Sequence, residues 1–260
     1  MKLYGILGYP LTQSLSPAMH NAAFKALNID ASYEKFEILS ENLEDFVQNK
    51  LRQDISGLSV TIPYKVEIMK YLDEIDEIST EIGAVNTVIN EKGKLKGTNT
   101  DWYGALKLLE NIINLENKNV ILLGAGGAAR AIAYGLNQSK ANVIILVREI
   151  QKAQIFKDKY NFKIDKIENI FDYQTCDILI NSTNVGMESN ESLVPEKFFQ
   201  KNIIVFDIVY KPLKTQMLKT AKNAGCKIIT GDQMLLNQGI KQFELWTNTK
   251  APIEIMRKAL

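Results

Sequence analysis

The residues that could do chemistry in this 260-residue chain fall into two sets, one suited to phosphate and one to a small polar molecule. The first is Asn119-Val-Ile-Leu-Leu-Gly124-Ala125-Gly126-Gly127-Ala128-Ala129-Arg130, an apolar run that passes through Gly-x-Gly-x-x-Ala into helical periodicity. Gly124 permits a tight turn, Gly126 lets a pyrophosphate approach the backbone, and Ala129 lets helix and strand pack closely. A strand before and a helix after make this a dinucleotide fingerprint, because the helix N-terminus then aims its unpaired N–H groups at the phosphates. The choice of dinucleotide is read at the end of the next strand. There Val147-Arg148-Glu149 offers an acid for a ribose 2′-OH and a guanidinium for a 2′-phosphate. With Lys152 four positions beyond Arg148, the balance favours NADP, and Glu149 is expected to face solvent.

The second set is scattered. Gly8-Tyr-Pro10-Leu-Thr-Gln-Ser14-Leu-Ser16-Pro17-Ala-Met-His20-Asn21 places two hydroxyls just before a proline that suits the first position of a helix. Donors beside the positive end of a helix suit a carboxylate, while the same pattern serves equally for an N-capping Ser16 and a turn residue Ser14. His20, on the helix that follows, reads as a structural histidine. Leu58-Ser-Val-Thr61-Ile-Pro63-Tyr-Lys65 is a strand ending at a proline expected to open a helix. Lys65 would then sit in a first turn, where the dipole disfavours an ammonium and would lower its pKa, as proton transfer requires. Asn86 and Thr87 in Gly83-Ala-Val-Asn-Thr, and Asp101 in Gly97-Thr-Asn-Thr-Asp101-Trp-Tyr-Gly, complete the set, Asp101 as a first-turn acid.

Short β-rich runs alternating with amphipathic stretches must position these residues. Period-2 and apolar runs predict strands over 3–7, 33–37, 57–62, 87–90, 119–123, 142–147, 178–181, 203–207 and 227–230. Helical spacing predicts helices over 17–27, 40–51, 64–71, 101–112, 128–138, 213–224 and 234–247. Strands separated by helices imply parallel α/β sheets. The series restarts at residue 119, after the polar turn over 114–118. The expectation is therefore two α/β domains around a cleft, the second a Rossmann-like doubly wound parallel sheet. Residues 1–101, completed by C-terminal helices over 232–260, would form the first domain and 102–231 the second, with the cleft as the default site.

Composition excludes several classes. Thirty-one Lys and Arg against thirty Asp and Glu give a net charge of +1, so no overall field recruits nucleic acid or an acidic membrane. The apolar N-terminus stops at Gly8-Tyr-Pro10, well short of the ~18 residues a membrane span needs. Two cysteines, Cys176 and Cys226, make no disulfide scaffold, and with a single histidine no Cys/His zinc site is expected. A reducing cytoplasm fits, and any assembly is expected to be a homodimer.

Taken together, the motifs resemble the shikimate dehydrogenase family along nearly the whole chain. The matching blocks are Ser14-x-Ser16-Pro17-x-x-His20-Asn21, Val60-Thr61-Ile-Pro63-Tyr-Lys65, Gly83-Ala-Val-Asn86-Thr, Asn99-Thr-Asp101, Gly124-Ala-Gly-Gly-Ala-Ala-Arg130, Asn181-Ser-Thr183-Asn-Val-Gly186-Met187, Asp207-Ile-Val-Tyr210-Lys-Pro212 and Gly231-Asp-Gln-Met234-Leu235-Leu-Asn-Gln238, the last followed by Phe243-Glu-Leu-Trp-Thr. The resemblance implies reversible NADPH-linked reduction of 3-dehydroshikimate to shikimate, on the way to chorismate and the aromatic amino acids. It implies that Ser14 and Ser16, helped by Tyr210, hold the substrate carboxylate. Thr61, Asn86, Asp101 and Gln238 would reach ring hydroxyls, and Lys65 with Asp101 would form the catalytic pair. Gly124, Ala125, Gly126, Gly127, Ala128, Arg148 and Lys152 would lie along the dinucleotide, with Ile208 and Gly231 bordering the nicotinamide. One block departs from the family, since its usual Asn-Arg-Thr reads Val147-Arg148-Glu149 here, which bears on discrimination against NAD. A quinate and shikimate dehydrogenase using NAD, and a non-catalytic dinucleotide sensor, are the other readings of the same pattern.

Overall fold

Apolar runs that alternate between two faces need cover on both sides, and the chain supplies it twice. A computed structural model describes residues 1–260, which divide into two compact units: Met1–Asp101 with Leu236–Leu260, and Trp102–Leu235. The first unit holds strands β1 (Lys2–Gly8), β2 (Ala31–Glu37), β3 (Ile55–Val60), β4 (Glu74–Ile75), β5 (Thr87–Glu91) and β6 (Lys94–Thr98) in one sheet of order β2-β1-β3-β5-β6-β4. The second holds β7 (Asn119–Leu123), β8 (Asn142–Val147), β9 (Lys163–Lys166), β10 (Ile178–Asn181), β11 (Ile204–Asp207) and β12 (Lys227–Ile229) in the order β12-β11-β10-β7-β8-β9.

Every pairing in the second sheet is parallel. Val120 and Leu122 of β7 point into one core with Val143 and Ile145 of β8, while Ile121 and Leu123 point into the other with Ile144 and Leu146. This two-faced burial is why these strands read as unbroken Val-Ile-Leu runs. Counted along the unit, the order is 3-2-1-4-5-6, the doubly wound Rossmann arrangement, so the strand order reverses between β7 and β10.

The first sheet is mixed, contrary to the all-parallel expectation. β1, β2 and β3 are parallel, but β5 runs antiparallel to β3 and β6 antiparallel to β5. The unforeseen strand β6 arises from a two-residue hairpin loop. Lys92 and Gly93 both have positive φ (56° and 91°), as the twist-matched turn requires. Only Leu95 and Gly97 of Lys-Leu-Lys-Gly-Thr are buried, too weak a pattern to read as a strand. The hairpin places the residue before β5 and those after β6 at one sheet edge, beside the end of β3. Asn86 N–H donates to Thr98 O at 3.2 Å, and Val60 N–H to Asn86 O at 2.7 Å.

The helix expected over 64–71 does not form as such. Tyr64 O accepts from Ile68 N, one helical turn, but the next carbonyl, Lys65 O, accepts from Val85 N at 2.7 Å. That diversion leaves a turn followed by a 3₁₀ segment, Glu67–Tyr71. The helices Ser16–Ala26, Asp101–Glu110, Gly127–Gln138, Gln216–Asn223 and Gly231–Thr247 do form.

Candidate active site

In the first unit three chain segments meet at the sheet edge. Lys65 follows β3, Asn86 precedes β5, and Asp101 opens the helix Asp101–Glu110, its N–H held by Asn99 Oδ1 at 3.0 Å. Lys65 Nζ donates to Asp101 Oδ2 at 2.6 Å, with side chains 14% and 7% exposed. The other carboxylate oxygen, Oδ1, accepts from Asn86 Nδ2 at 2.8 Å. The ammonium is therefore oriented by a carboxylate that is itself fixed. The first-turn dipole invoked from the sequence is not what holds Lys65, since no helix starts there.

Asn86 is almost fully engaged. Its Oδ1 accepts from Thr100 N and Thr87 Oγ1, both at 2.7 Å, and its Nδ2 also donates to Thr100 Oγ1 at 3.0 Å and Gln238 Oε1 at 3.4 Å. The Gln238 contact is the longest of these, and a substrate hydroxyl could replace it at least cost.

Ser14 and Ser16 lie at the start of the helix Ser16–Ala26. Neither acts as its cap: the capping position is Leu15 and no side chain bonds the first-turn N–H groups. Ser14 N–H closes a turn onto Leu11 O at 3.1 Å, and its hydroxyl is buried without a hydrogen-bond partner. A buried orphan hydroxyl beside an uncapped helix N-terminus is a donor array suited to an anion. Thr61 lies in the turn after β3, its N–H on Leu7 O at 2.9 Å. His20 is fully buried and stacks on Tyr33, with ring centroids 4.6 Å apart. Burial pulls its pKa down to about 3 against the opposing pull of Gln242, so the ring is neutral and structural.

In the second unit the loop after β7 lies at the strand-order reversal, where open α/β sheets bind ligands. Gly124 has φ of 106°, and a Cβ there would meet Thr183 Cγ2 at 2.8 Å. A Cβ on Gly126 would meet nothing within 4 Å. Gly126 caps the helix Gly127–Gln138, and no side chain bonds its first-turn N–H groups. A cleft of about 530 Å³ is lined by Ala125, Gly126, Arg130, Gln151, Lys152 and Ile155. A smaller one of about 150 Å³ runs past Gly124, Arg148, Glu149 and Thr183. This backbone cradle, with cations at its rim, fits a phosphorylated dinucleotide. Arg148 is exposed at the exit of β8. Glu149 is 62% exposed and pairs with Lys152 Nζ at 2.7 Å, so the acid faces solvent while neutralising part of the nearby positive charge. Gly231 sits so close to the chain after β11 that a Cβ would lie 2.2 Å from Ile208 O, and Tyr210 lies two residues beyond Ile208 in that loop.

Three stretches match known family descriptions: residues 6–88 the shikimate dehydrogenase substrate binding domain, 106–210 shikimate / quinate 5-dehydrogenase, and 233–260 the shikimate 5'-dehydrogenase C-terminal domain. A shikimate dehydrogenase (NADP(+)) from Pyrococcus abyssi is 46% identical over 259 residues, covering 99% of this chain and 97% of its own. The chain belongs to the shikimate dehydrogenase family. A crystal structure of a shikimate dehydrogenase in complex with NADP+ superposes with a TM-score of 0.92 at 41% identity, covering 100% of this chain and 94% of the other. The Thermus thermophilus shikimate 5-dehydrogenase, in complex with NADP(H) and shikimate, gives 0.91 at 34% identity, covering 100% and 98%.

Of the residues the family motifs single out, Lys65, Asn86, Asp101 and Gln238 are joined by direct hydrogen bonds or a shared partner in the first unit. Tyr210 belongs to the second. Sequence reasoning passed over Thr100 and Gln242, which hydrogen-bond Asn86, Ser59, which hydrogen-bonds Gln242 in turn, and Gln151 and Ile155, which line the larger cleft beside the glycine loop. Gln242 stands four positions after Gln238, hence on the same helix face, a signal that could have found it. The cysteines are buried and unbridged, and burial pushes the Cys176 thiol up to about 12, which makes it a poor nucleophile. No helix is long and apolar enough to cross a membrane.

Proposed function

We propose that this chain interconverts 3-dehydroshikimate and shikimate with NADP(H). The first unit binds the substrate and carries the proton chemistry, and the second binds the dinucleotide. The observation that carries this reading is the Lys65–Asp101 pair, both charges largely buried and the carboxylate clamped on its second oxygen by Asn86. When bound, NADPH supplies the hydride. Ser14 and Ser16 hold the carboxylate, which does not change during the reaction, and Tyr210 assists them. Thr61, Asn86, Asp101 and Gln238 orient the ring through its hydroxyls. Lys65 Nζ then gives a proton to the carbonyl oxygen as that oxygen gains charge, and Asp101 keeps the ammonium aimed at it. Gly124 to Ala128 receive the pyrophosphate on backbone N–H groups, Arg148 and Lys152 face the 2′-phosphate, and Ile208 and Gly231 border the nicotinamide. A cytoplasm that supplies NADPH is the compartment this reading fits.

The test is turnover by the purified chain with NADPH and 3-dehydroshikimate, repeated with NADH, and in reverse with shikimate and with quinate. Fast, NADPH-preferring reduction and shikimate oxidation are expected. A chain that binds NADPH but turns over neither acid would overturn the reading.

A further inference from the structure

Behind Asn86 runs a line of buried polar groups that this reaction does not touch. Tyr33 OH donates to Ser59 Oγ at 2.6 Å, and Ser59 Oγ donates to Gln242 Oε1 at 2.8 Å. Gln242 Nε2 donates to Asn86 O at 3.1 Å and to Thr87 Oγ1 at 2.9 Å. Thr87 Oγ1 donates to Asn86 Oδ1 at 2.7 Å, and Asn86 Nδ2 reaches Asp101 Oδ1 at 2.8 Å. All of these residues lie in the first unit, and Ser59, Asn86, Thr87, Asp101 and Gln242 are buried.

The sense of the Gln242 bonds is forced. Asn86 O is a backbone carbonyl and can only accept, so the Gln242 amide must present Nε2 to it and Oε1 to Ser59. Nε2 can only donate, so Thr87 Oγ1 must accept from it. The single Thr87 hydrogen then goes to Asn86 Oδ1 at 2.7 Å, the nearer of its two acceptors, Thr100 Oγ1 standing at 3.4 Å. Thr100 N–H points at the same oxygen, which turns the Asn86 NH₂ group toward the carboxylate that orients Lys65. Gln238 and Gln242, one helical turn apart on Gly231–Thr247, thus both engage Asn86, Gln238 at the amide and Gln242 at the backbone and through Thr87.

We infer that Gln242 is a positioning residue for the reaction, fixing through Thr87 which way the Asn86 amide faces and so the aim of the Lys65–Asp101 pair. The inference rests on the proposed reaction, in which that pair moves the proton. A well-made neutral hydrogen bond is worth up to about tenfold in an equilibrium, and a misaimed catalytic group loses turnover by a similar or larger factor.

The experiment measures kcat, KM for shikimate and KM for NADP+ in Gln242→Met, Thr87→Val and Thr87→Ser, and in Gln242→Met combined with Asn86→Ala. Gln242→Met keeps the volume and removes the amide. It should lower kcat roughly tenfold and leave KM for NADP+ unchanged. Thr87→Val should match it, and Thr87→Ser, which keeps the hydroxyl, should stay within about twofold of the wild type. In the Asn86→Ala background, Gln242→Met should cost less than about twofold more, because its effect runs through the missing amide. Equal losses in both backgrounds, a Thr87→Ser variant as slow as Thr87→Val, or a fully active Gln242→Met would each overturn the inference. Should Gln242→Met fail to fold, the Thr87 pair decides alone. A wild type without turnover would remove the proposed reaction and this inference together, whereas an active wild type with unaffected variants removes only the inference.

Discussion

Around Asp101 in the first unit, the atoms offered to a ligand belong to side chains tied together in a buried hydrogen-bond network. Around Gly126 in the second unit they belong to the backbone, and the nearest side chains stand back from the loop. Side-chain sites depend on residue identity several neighbours deep, because every buried donor needs its acceptor. Backbone sites depend on shape and tolerate changed chemistry at the rim. The same contrast is seen in the motifs: the departure from the family pattern, at Val147 and Glu149, falls at the rim beside the glycine loop, while Lys65, Asn86, Asp101 and Gln238 all stand in blocks that match that pattern.

Breaking the side-chain site should have the largest effect. Lys65→Ala is expected to lower kcat by roughly 10²-fold or more with little change in KM for shikimate, since an acid acts mainly in the transition state. Steady-state kinetics with a melting curve checks this, and near-normal turnover would take Lys65 out of the mechanism. Next comes the double change of Ser14 and Ser16 to Ala. Each charge-assisted bond is worth ~1.5–3 kcal/mol, so KM for shikimate should rise more than kcat falls. Retained affinity would mean that the carboxylate is held elsewhere.

The backbone site is best separated from the fold by comparing two glycines. Gly126→Ala adds a methyl where the chain has no neighbour, so melting should be unchanged while NADPH affinity falls roughly tenfold or more through contact with the pyrophosphate. Gly124→Ala, at φ of 106° and against Thr183, should lose stability as well. Titration of both variants with NADPH beside their thermal melts is the measurement. If Gly126→Ala binds as tightly as wild type, the pyrophosphate does not lie on this loop.

Effects at the rim should be smaller. Arg148→Ala is expected to weaken NADPH and spare NADH, and Glu149→Thr, which releases Lys152 from its partner, should improve NADPH modestly. Specificity constants for both cofactors across these variants decide it. Equal loss of both in Arg148→Ala would show that the guanidinium does not read the 2′-phosphate.

The last prediction concerns Asp207, the fully buried acid at the end of β11. Burial pushes its carboxyl up to about 6, over the lowering pull of hydrogen bonds from Thr215, Val209 and Asn181. The folded chain therefore keeps a proton that the unfolded chain releases near pH 4, and the stability this contributes is full below about pH 4 and lost as pH rises through about 6. Asp207→Asn should flatten that fall, gaining on the wild type between pH 4 and 6 by up to the order of 3 kcal/mol. Melting curves across that range test it, and parallel pH profiles for the two proteins would refute it.

The second unit was legible in the residues themselves except for β9, whose half-polar Lys-Ile-Asp-Lys buries no residue fully and carries no apolar run. Strands buried on both faces declare themselves as apolar runs, and β7, β8 and β10 fall where those runs predict. The glycine loop needs no distant partner to be recognised, because strand, turn and helix are contiguous. The order 3-2-1-4-5-6 was only a fold-class expectation until the pairings fixed it. In the first unit the sequence supplied the reactive residues through their motifs but not the reason they meet. Strand β6 is half polar and carries little signal, yet its antiparallel return brings Asp101 beside Asn86. Lys65 is held by a carboxylate 36 residues away rather than by a local helix, whose ladder is broken when Val85 takes its carbonyl. Local pattern records the contacts a residue makes with its chain neighbours. The aim of a buried ammonium depends on its own bond to Asp101 and on the bonds that Asn86 and Gln242 make behind that carboxylate, and those exist only once the sheet has formed.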